Sequence, residues 1–311
     1  MIFSLSLTAG FPSSPNLPAC LKIGKGNIRK KEIQDMLKSD DLLYIYYCKG
    51  TIGSDDPRPE RSDHFQGTWT EDGCSFLFFT CPEDHLVEEL VKDTPDVQFM
   101  DRFEMTVAQW HGDAVEPFVV GDIRVIPSWA YAKPETYGRK QVVLDPGVVF
   151  GTGRHPTTED SLDLMQALIR RQPVRTCLDI GAGTGLLSLA AAVMGVDRVV
   201  ACDFNMLAVK TARANAKRNE LEQNILTVCG KGEELISTRA DILVANIHYE
   251  VMKALVETEG FYEKKWFVLS GLFNRQSEKI LSRLREKPVT ILERRCPDGV
   301  WNTISGRIEP V

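Results

Sequence analysis

No run of about 18 apolar residues occurs in this 311-residue chain, so no transmembrane helix is expected and no membrane partner. A C-x-x-C pair is also missing. The cysteines, at 20, 48, 74, 81, 177, 202, 229 and 296, stand apart. Cys177, Cys202 and Cys229 each lie inside an apolar run, where a reduced cysteine behaves as a small core residue. No metal site and no disulfide framework is therefore expected, and a reducing, cytoplasmic compartment is the simpler reading. Basic residues are not in excess either: the net charge is -6, which argues against direct nucleic-acid binding. Met1 to Phe11 has no basic n-region and only a short, interrupted apolar stretch, which argues against a signal peptide. Neither an internal repeat nor a low-complexity tract is present. What is there, 43% hydrophobic and 26% charged residues, suits a globular chain with a core of normal size, and the length suits two domains.

Residues 1–30, rich in Ser, Pro, Gly and Lys, read as a flexible leader. A short helix is expected over 31–37. Leu42 to Cys48 reads as a strand, Gly53 to Gly67 as a loop, and Ser75 to Phe79 as a second strand. A helix opens at Pro82-Glu83-Asp84 and runs through Lys92, with acids in its first turn. A third strand lies in Val97 to Met105. Phe118 to Ile126 looks like a hairpin, and residues 130 to 140 carry the domain boundary. From Gln141 the pattern alternates: a strand at 142–144, a helix capped by Thr157 or Thr158 and running to about Arg170, then strands at 176–180, 199–203, 225–229, 241–246 and 266–270. Helices are expected at 184–194, 206–219, 249–259 and 275–286. Strands 290–293 and 301–305 flank a turn at Pro297-Asp298-Gly299 too short for a parallel crossover.

The centre of this pattern is Leu178-Asp179-Ile180-Gly181-Ala182-Gly183-Thr184-Gly185, a strand stopping at three glycines with a helical run behind them. Only a residue without Cβ lets a backbone turn that tightly and approach a ligand that closely. About 20 residues on, Val199 to Cys202 ends at Asp203, and an acid there can accept both hydroxyls of a ribose. Asp203 could equally cap the helix starting near Met206; the Gly turn upstream favours ribose. The spacing is G-x-G-x-G rather than the G-x-G-x-x-G of dinucleotide binders. Together with Asp179 it favours S-adenosylmethionine over NAD, because the methyl donor carries no pyrophosphate and its ammonium wants carbonyl and carboxylate partners. Asp179, Gly181, Gly183 and Gly185 are thus expected on the cofactor.

Asn246, in Ala245-Asn246-Ile247-His248-Tyr249, ends another strand, where ligands of open α/β sheets collect. Its amide can hold the methyl donor or orient an attacking amine, and the competing reading is an N-cap. Phe150 to Thr158, with two glycines and a His-Pro-Thr-Thr turn, can fold over the cofactor as a lid, with His155 a candidate general base.

Asp145 to Thr158 resembles the D-P-G-x-x-F-G-T-G-x-H-P-T-T signature of the PrmA family, the methyltransferases that modify the large-subunit ribosomal protein L11. The resemblance covers about residues 117 to 311, including Pro127-Ser128-Trp129 and Leu269-Ser270-Gly271-Leu272. It implies cofactor contacts at Thr158, Gly181, Asp203 and Asn246, an N-terminal substrate-recognition domain, and N-methylation of lysine side chains and the α-amine. Two positions depart from the family: Arg154 stands where Thr is usual, and Asn-Ile-His-Tyr at 246–249 replaces Asn-Ile-Leu-Ala. The N-terminal 110 residues match poorly.

The fold expected is α/β: a Rossmann-like doubly wound methyltransferase sheet ending in an antiparallel hairpin (142–311), preceded by a smaller α+β substrate-recognition domain (31–127) and a linker (128–141). The expected activity is S-adenosylmethionine-dependent protein N-methylation, with a ribosomal protein as substrate and Asn246 and His155 in catalytic roles. The alternatives are a methyltransferase for another protein or a small molecule, a cofactor-binding interaction protein without catalysis, and a hydride-transfer enzyme using NAD.

Overall fold

Backbone pairing sorts the strands into three sheets. A computed structural model describes residues 37–53, 56–112, 116–131 and 140–309. The expected leader, nearly all of the helix expected at 31–37, and residues 132–139 of the expected linker lie outside them.

Strands β1 (Leu42–Lys49), β2 (Phe65–Glu71), β3 (Cys74–Phe79) and β4 (Gln98–Thr106) form an antiparallel sheet in the order β2-β3-β1-β4. Helix α1 (Asp84–Lys92) covers one face, burying Val87 and Leu90 against Tyr46, Leu77 and Phe79. The other face, with Leu43, Ile45 and Phe78, packs on Val148 and Leu207 of the C-terminal half. A single turn, α2 (Val107–His111), is closed by a Thr106/Gln109 capping box. It points Trp110 Nε1 at the Val148 carbonyl and His111 Nε2 at the Gly147 carbonyl, both at 2.9 Å.

The loop expected from Gly53 to Gly67 ends early, because β2 begins at Phe65. Gly67 conceals the strand: it sits at a register shift with φ +146, and a Cβ there would lie 2.5 Å from the Leu207 side chain. The glycine marks a close approach within a strand, not a loop end.

A second sheet joins β5 (Phe118–Val120), β6 (Ile123–Pro127) and β7 (Lys140–Leu144), with β6 and β7 parallel. Phe118, Ile123 and Val125 bury in the same core as helices α3 (Pro156–Arg171) and α4 (Leu186–Val193). The third sheet has seven strands: β8 (Thr176–Ile180), β9 (Arg198–Asp203), β10 (Ile225–Cys229), β11 (Ile242–Asn246), β12 (Trp266–Phe273), β13 (Val289–Arg295) and β14 (Trp301–Ile308). Their order is β10-β9-β8-β11-β12-β14-β13. The first five are parallel, and β14 runs antiparallel to both its neighbours, so the sheet is doubly wound and closes on a hairpin as expected.

Alternate strand residues feed two cores. Cys177, Ile242, Val244 and Val268 face α3, α4 and α5 (Met206–Arg218). Leu178, Ile180, Leu243, Ala245 and Leu269 face α7 (Tyr249–Glu257), which follows the single turn α6 (Gly232–Leu235), and α8 (Asn274–Arg285). Burial on both faces is why these strands read as continuous apolar runs. Winding reverses between β8 and β11, which opens a crevice at their carboxyl ends. No helix among the described residues is long and apolar enough to cross a membrane.

Candidate functional site

The crevice is floored by the Gly turn. Gly181 and Ala182 both donate to the Cys202 carbonyl, at 2.8 and 2.9 Å, which ties the turn to the end of β9. Gly181, Gly183 and Gly185 have φ of +74, +53 and +82, a region open to glycine and strained for other residues. A Cβ on Gly181 would lie 2.2 Å from Ile247 Cγ2, and one on Gly183 2.8 Å from the Phe150 carbonyl oxygen. The turn thus lies against Ile247, just after β11, on one side and against the segment before α3 on the other.

Two carboxylates stand beside it. Asp203 is 7% exposed. Its Oδ2 accepts from Gly183 N at 3.0 Å and its Oδ1 from Asn205 N at 2.9 Å. Each oxygen keeps a further lone pair for a ligand. Burial pushes its carboxyl above the ordinary value. It does not cap α5; Asn205 does, accepting from Leu207 N at 3.0 Å. Phe204, next to Asp203, exposes 54% of its surface at the end of β9. The sequence reading passed over it, although an apolar residue directly after a strand-end acid is a usable signal.

Asp179 is fully buried. Its Oδ2 accepts from Ser188 Oγ at 2.6 Å, while Oδ1 has no partner. Burial lifts its carboxyl to about 6, against the Ser188 bonds that pull it down. The consequence for stability follows by linkage. Below about pH 4 the group is protonated folded and unfolded. Between about 4 and 6 the folded chain keeps a proton that the unfolded chain releases, so stability falls as pH rises through that window. Above it the penalty is complete, with a ceiling of about 3 kcal/mol for a shift of roughly two units. Asp179→Asn keeps the shape and removes the charge. It is expected to stabilise the protein by about 1–2 kcal/mol at pH 7.5, with the gain vanishing near pH 4. Urea unfolding of both proteins at the two pH values measures this; a gain independent of pH would refute it.

Asn246 ends β11 beside the turn. Its Nδ2 donates to Thr157 Oγ1 at 3.2 Å and Thr158 Oγ1 at 3.3 Å. Both N–H groups are thereby used, and the carbonyl Oδ1 remains as an acceptor near Gly271, whose added Cβ would come within 3.1 Å of it. Gly271 has φ +88 and sits where the β12–β14 register shifts. The residue at the N-cap position of α7 is His248, so Asn246 is not a cap.

Thr157 and Thr158 do not cap α3 either. Pro156 occupies the first helical position, where its fixed φ suits a helix start, and this moves the cap back to His155. Nδ1 of His155 accepts from Thr157 N at 3.4 Å and lies 2.7 Å from Thr157 Oγ1. Both threonines are released to hold Asn246. The His155 ring packs edge-on to Trp301, centroids 5.2 Å apart, and Trp301 stacks on Phe273 at 4.2 Å. Burial lowers the His155 imidazole below its ordinary value, and Asp298 partly restores it.

The segment expected as a lid lies across the turn. Thr184 Oγ1 donates to the Gly151 carbonyl at 2.7 Å. Buried Asn215 brackets Asp145, accepting from its N at 2.9 Å and donating to its carbonyl at 2.8 Å, and also donates to the Thr184 carbonyl at 2.9 Å. Trp69 of β2 and Trp110 of α2 both pack on Phe150. The β2 end reaches further: Asn205 Nδ2 donates to the Thr70 carbonyl at 3.5 Å, and Glu71 Oε1 lies 3.7 Å from His248 Nε2. Nothing in the linear sequence marks Trp69 or Glu71, because Phe150 and His248, which they meet across the crevice, are more than 80 residues away.

The model of the family described as ribosomal protein L11 methyltransferase (PrmA) matches residues 84–309. It reaches back into α1, well before residue 117. A ribosomal protein L11 methyltransferase from Lacticaseibacillus paracasei is 34% identical over 189 residues, covering 60% of this chain and 59% of that protein. One from Lactococcus lactis is 32% identical over 189 residues, 60% of this chain and 58% of that protein. The chain thus spans less than two thirds of the curated relatives' length. The crystal structure of a ribosomal protein L11 methylase from Lactobacillus delbrueckii subsp. bulgaricus superposes with a TM-score of 0.52 at 26% identity, covering 63% of this chain and 100% of that one.

Proposed function

Because the chain belongs to the ribosomal protein L11 methyltransferase (PrmA) family, we propose that it is an S-adenosylmethionine-dependent protein N-methyltransferase acting on lysine or α-amino groups of a ribosomal protein of the L11 type. The observation that carries the reading is one line of groups across three neighbouring strand ends: Asp203 on β9, the Gly turn on β8 and Asn246 on β11. The donor set fits the cofactor. Asp203 suits the ribose hydroxyls, Phe204 the adenine face, the turn's backbone the amino-acid end, and the unpartnered Asp179 Oδ1 lies behind that end.

Bound S-adenosylmethionine supplies a methyl group already activated on a sulfonium. The chain's residues then have to align an amine and keep water out. Free lysine has a pKa of about 10.4, and burial between the Phe150 strap and β12 favours its neutral form. Asn246 Oδ1 accepts an N–H of the neutral amine and aims its lone pair. Thr157 and Thr158 hold the Asn246 amide; Thr158 also lies beside the cofactor. His155 serves as the cap that fixes those threonines, a positioning role in place of a general base.

Incubating the protein with methyl-labelled S-adenosylmethionine and undermethylated ribosomes tests the reading, with label expected in L11. Label confined to other proteins or small molecules would move the assignment to the alternative methyltransferase. Asp203→Ala is expected to weaken S-adenosylmethionine binding about 30-fold, the loss of hydrogen bonds to a charged acceptor; calorimetry showing unchanged affinity would remove Asp203 from the ribose site.

A further inference from the structure

The hairpin of β2 and β3 turns at Asp72 and Gly73, with φ of +50 and +72. This tight turn holds the last residue of β2, Glu71, opposite Cys74. The end of β2 spans two distant points of the large sheet. The Thr70 carbonyl meets Asn205 after β9, and the Glu71 carboxylate meets His248 after β11. The strand between β9 and β11 is β8, so the end of β2 bridges the two strand ends that flank the Gly turn. A bond from Trp69 Nε1 to Glu71 Oε2, at 3.2 Å, fixes the carboxylate in that position.

A second carboxylate in this place needs an explanation. Asp203 already supplies the acid a ribose requires, and Glu71 raises the energy of its charge, helping to push the Asp203 carboxyl up. The contact with His248 does little to offset this, since the imidazole side chain is 91% exposed and 3.7 Å away. A roof carboxylate that repels the floor carboxylate is useful when a cation passes between them. The acceptor proposed above is such a cation until it loses its proton, and His248, two residues beyond Asn246, puts Glu71 on the acceptor side of the crevice.

We infer that Glu71, carried by the N-terminal sheet, is a specificity-determining residue that receives the ammonium of the acceptor amine at the entrance to the transfer site. The inference rests on the methyltransferase reading and adds to it the residue by which the N-terminal part selects a cationic acceptor. Glu71 binds the incoming ammonium at the mouth; Asn246 orients the amine once it is inside.

The test compares the full chain with Glu71→Gln and Glu71→Asp, using purified unmethylated L11 and labelled S-adenosylmethionine. Gln keeps an acceptor for Trp69 Nε1, so the hairpin is retained. The KM for L11 is expected to rise about fivefold in Glu71→Gln, with kcat and the calorimetric affinity for S-adenosylmethionine unchanged, as for one partly exposed charge pair. Glu71→Asp should recover part of the loss. The rise of KM with added salt should also be shallower in Glu71→Gln than in the native protein. An unchanged KM in Glu71→Gln overturns the inference and leaves the methyltransferase reading standing. Cofactor affinity falling with KM overturns it too, making Glu71 a cofactor ligand. A native protein that binds cofactor but labels no amine overturns both.

Discussion

Asn246→Ala is expected to lower kcat for methyl transfer about 100-fold, the usual cost of losing one positioned hydrogen-bond acceptor at a reacting centre. Affinity for S-adenosylmethionine should change only about threefold, because most of that contact is assigned to the Gly turn and Asp203 in the proposed site. Its amide donates to Thr157 and Thr158 at 3.2 and 3.3 Å, so rotation about the terminal bond is restrained and Oδ1 has one direction available. The side chain contributes no proton transfer. Its loss should therefore lower kcat by the same factor at pH 7 and pH 9, whereas loss of a general base would be partly offset at high pH. Asn246→Asp should be nearly as slow, since a carboxylate cannot donate to both threonines. Steady-state rates with L11 over that pH range, set beside calorimetric cofactor titrations, measure all three quantities. Full turnover in Asn246→Ala with normal cofactor binding would exclude the residue from the mechanism.

The parts of this site that were legible in the sequence are those set by local chemistry. Asp179 to Gly185, Asp203 and Asn246 each end an apolar run, and a doubly wound sheet brings such strand ends together. The hairpin 289–308 was legible because a three-residue turn at Pro297-Asp298-Gly299 leaves no room for a helix. The α3 cap was misread for a physical reason: Ser and Thr are preferred caps, but Pro156 starts the helix two positions earlier than a Thr157 cap allows. The consequence is local, since Thr157 Oγ1 meets His155 Nδ1 and Asn246 Nδ2 and not the backbone of α3. Strand β2 was missed because Gly67 and the polar stretch before it weaken the strand pattern, and its pairing with β3 is what makes it a strand. Glu71 was invisible with it: its place beside His248 exists only once the N-terminal sheet is docked on Val148, Phe150 and Leu207.

Gly183→Val is expected to be the most damaging single change in the crevice, costing about 3–4 kcal/mol of stability and abolishing measurable cofactor binding. Two costs add. At φ +53 a β-branched residue meets the left-handed penalty of about 1–2 kcal/mol. Its Cβ would also lie 2.8 Å from the Phe150 carbonyl oxygen, a backbone atom with no rotamer to escape into. Relief requires the strap to lift, and the strap is pinned by Thr184 to Gly151 and by Asn215 to Asp145. The displacement also breaks the 3.0 Å bond from Gly183 N to Asp203, which orients the carboxylate proposed for the ribose. Gly195, by contrast, has φ +100 but open space around its added Cβ. Gly195→Val should therefore show the backbone cost alone, about 1–2 kcal/mol, with cofactor binding intact. Thermal unfolding of the two variants with and without S-adenosylmethionine separates the effects. A ligand-induced rise in Tm that survives in Gly183→Val would show that the cradle tolerates a side chain, and the assignment of the Gly turn to the cofactor would fall with it.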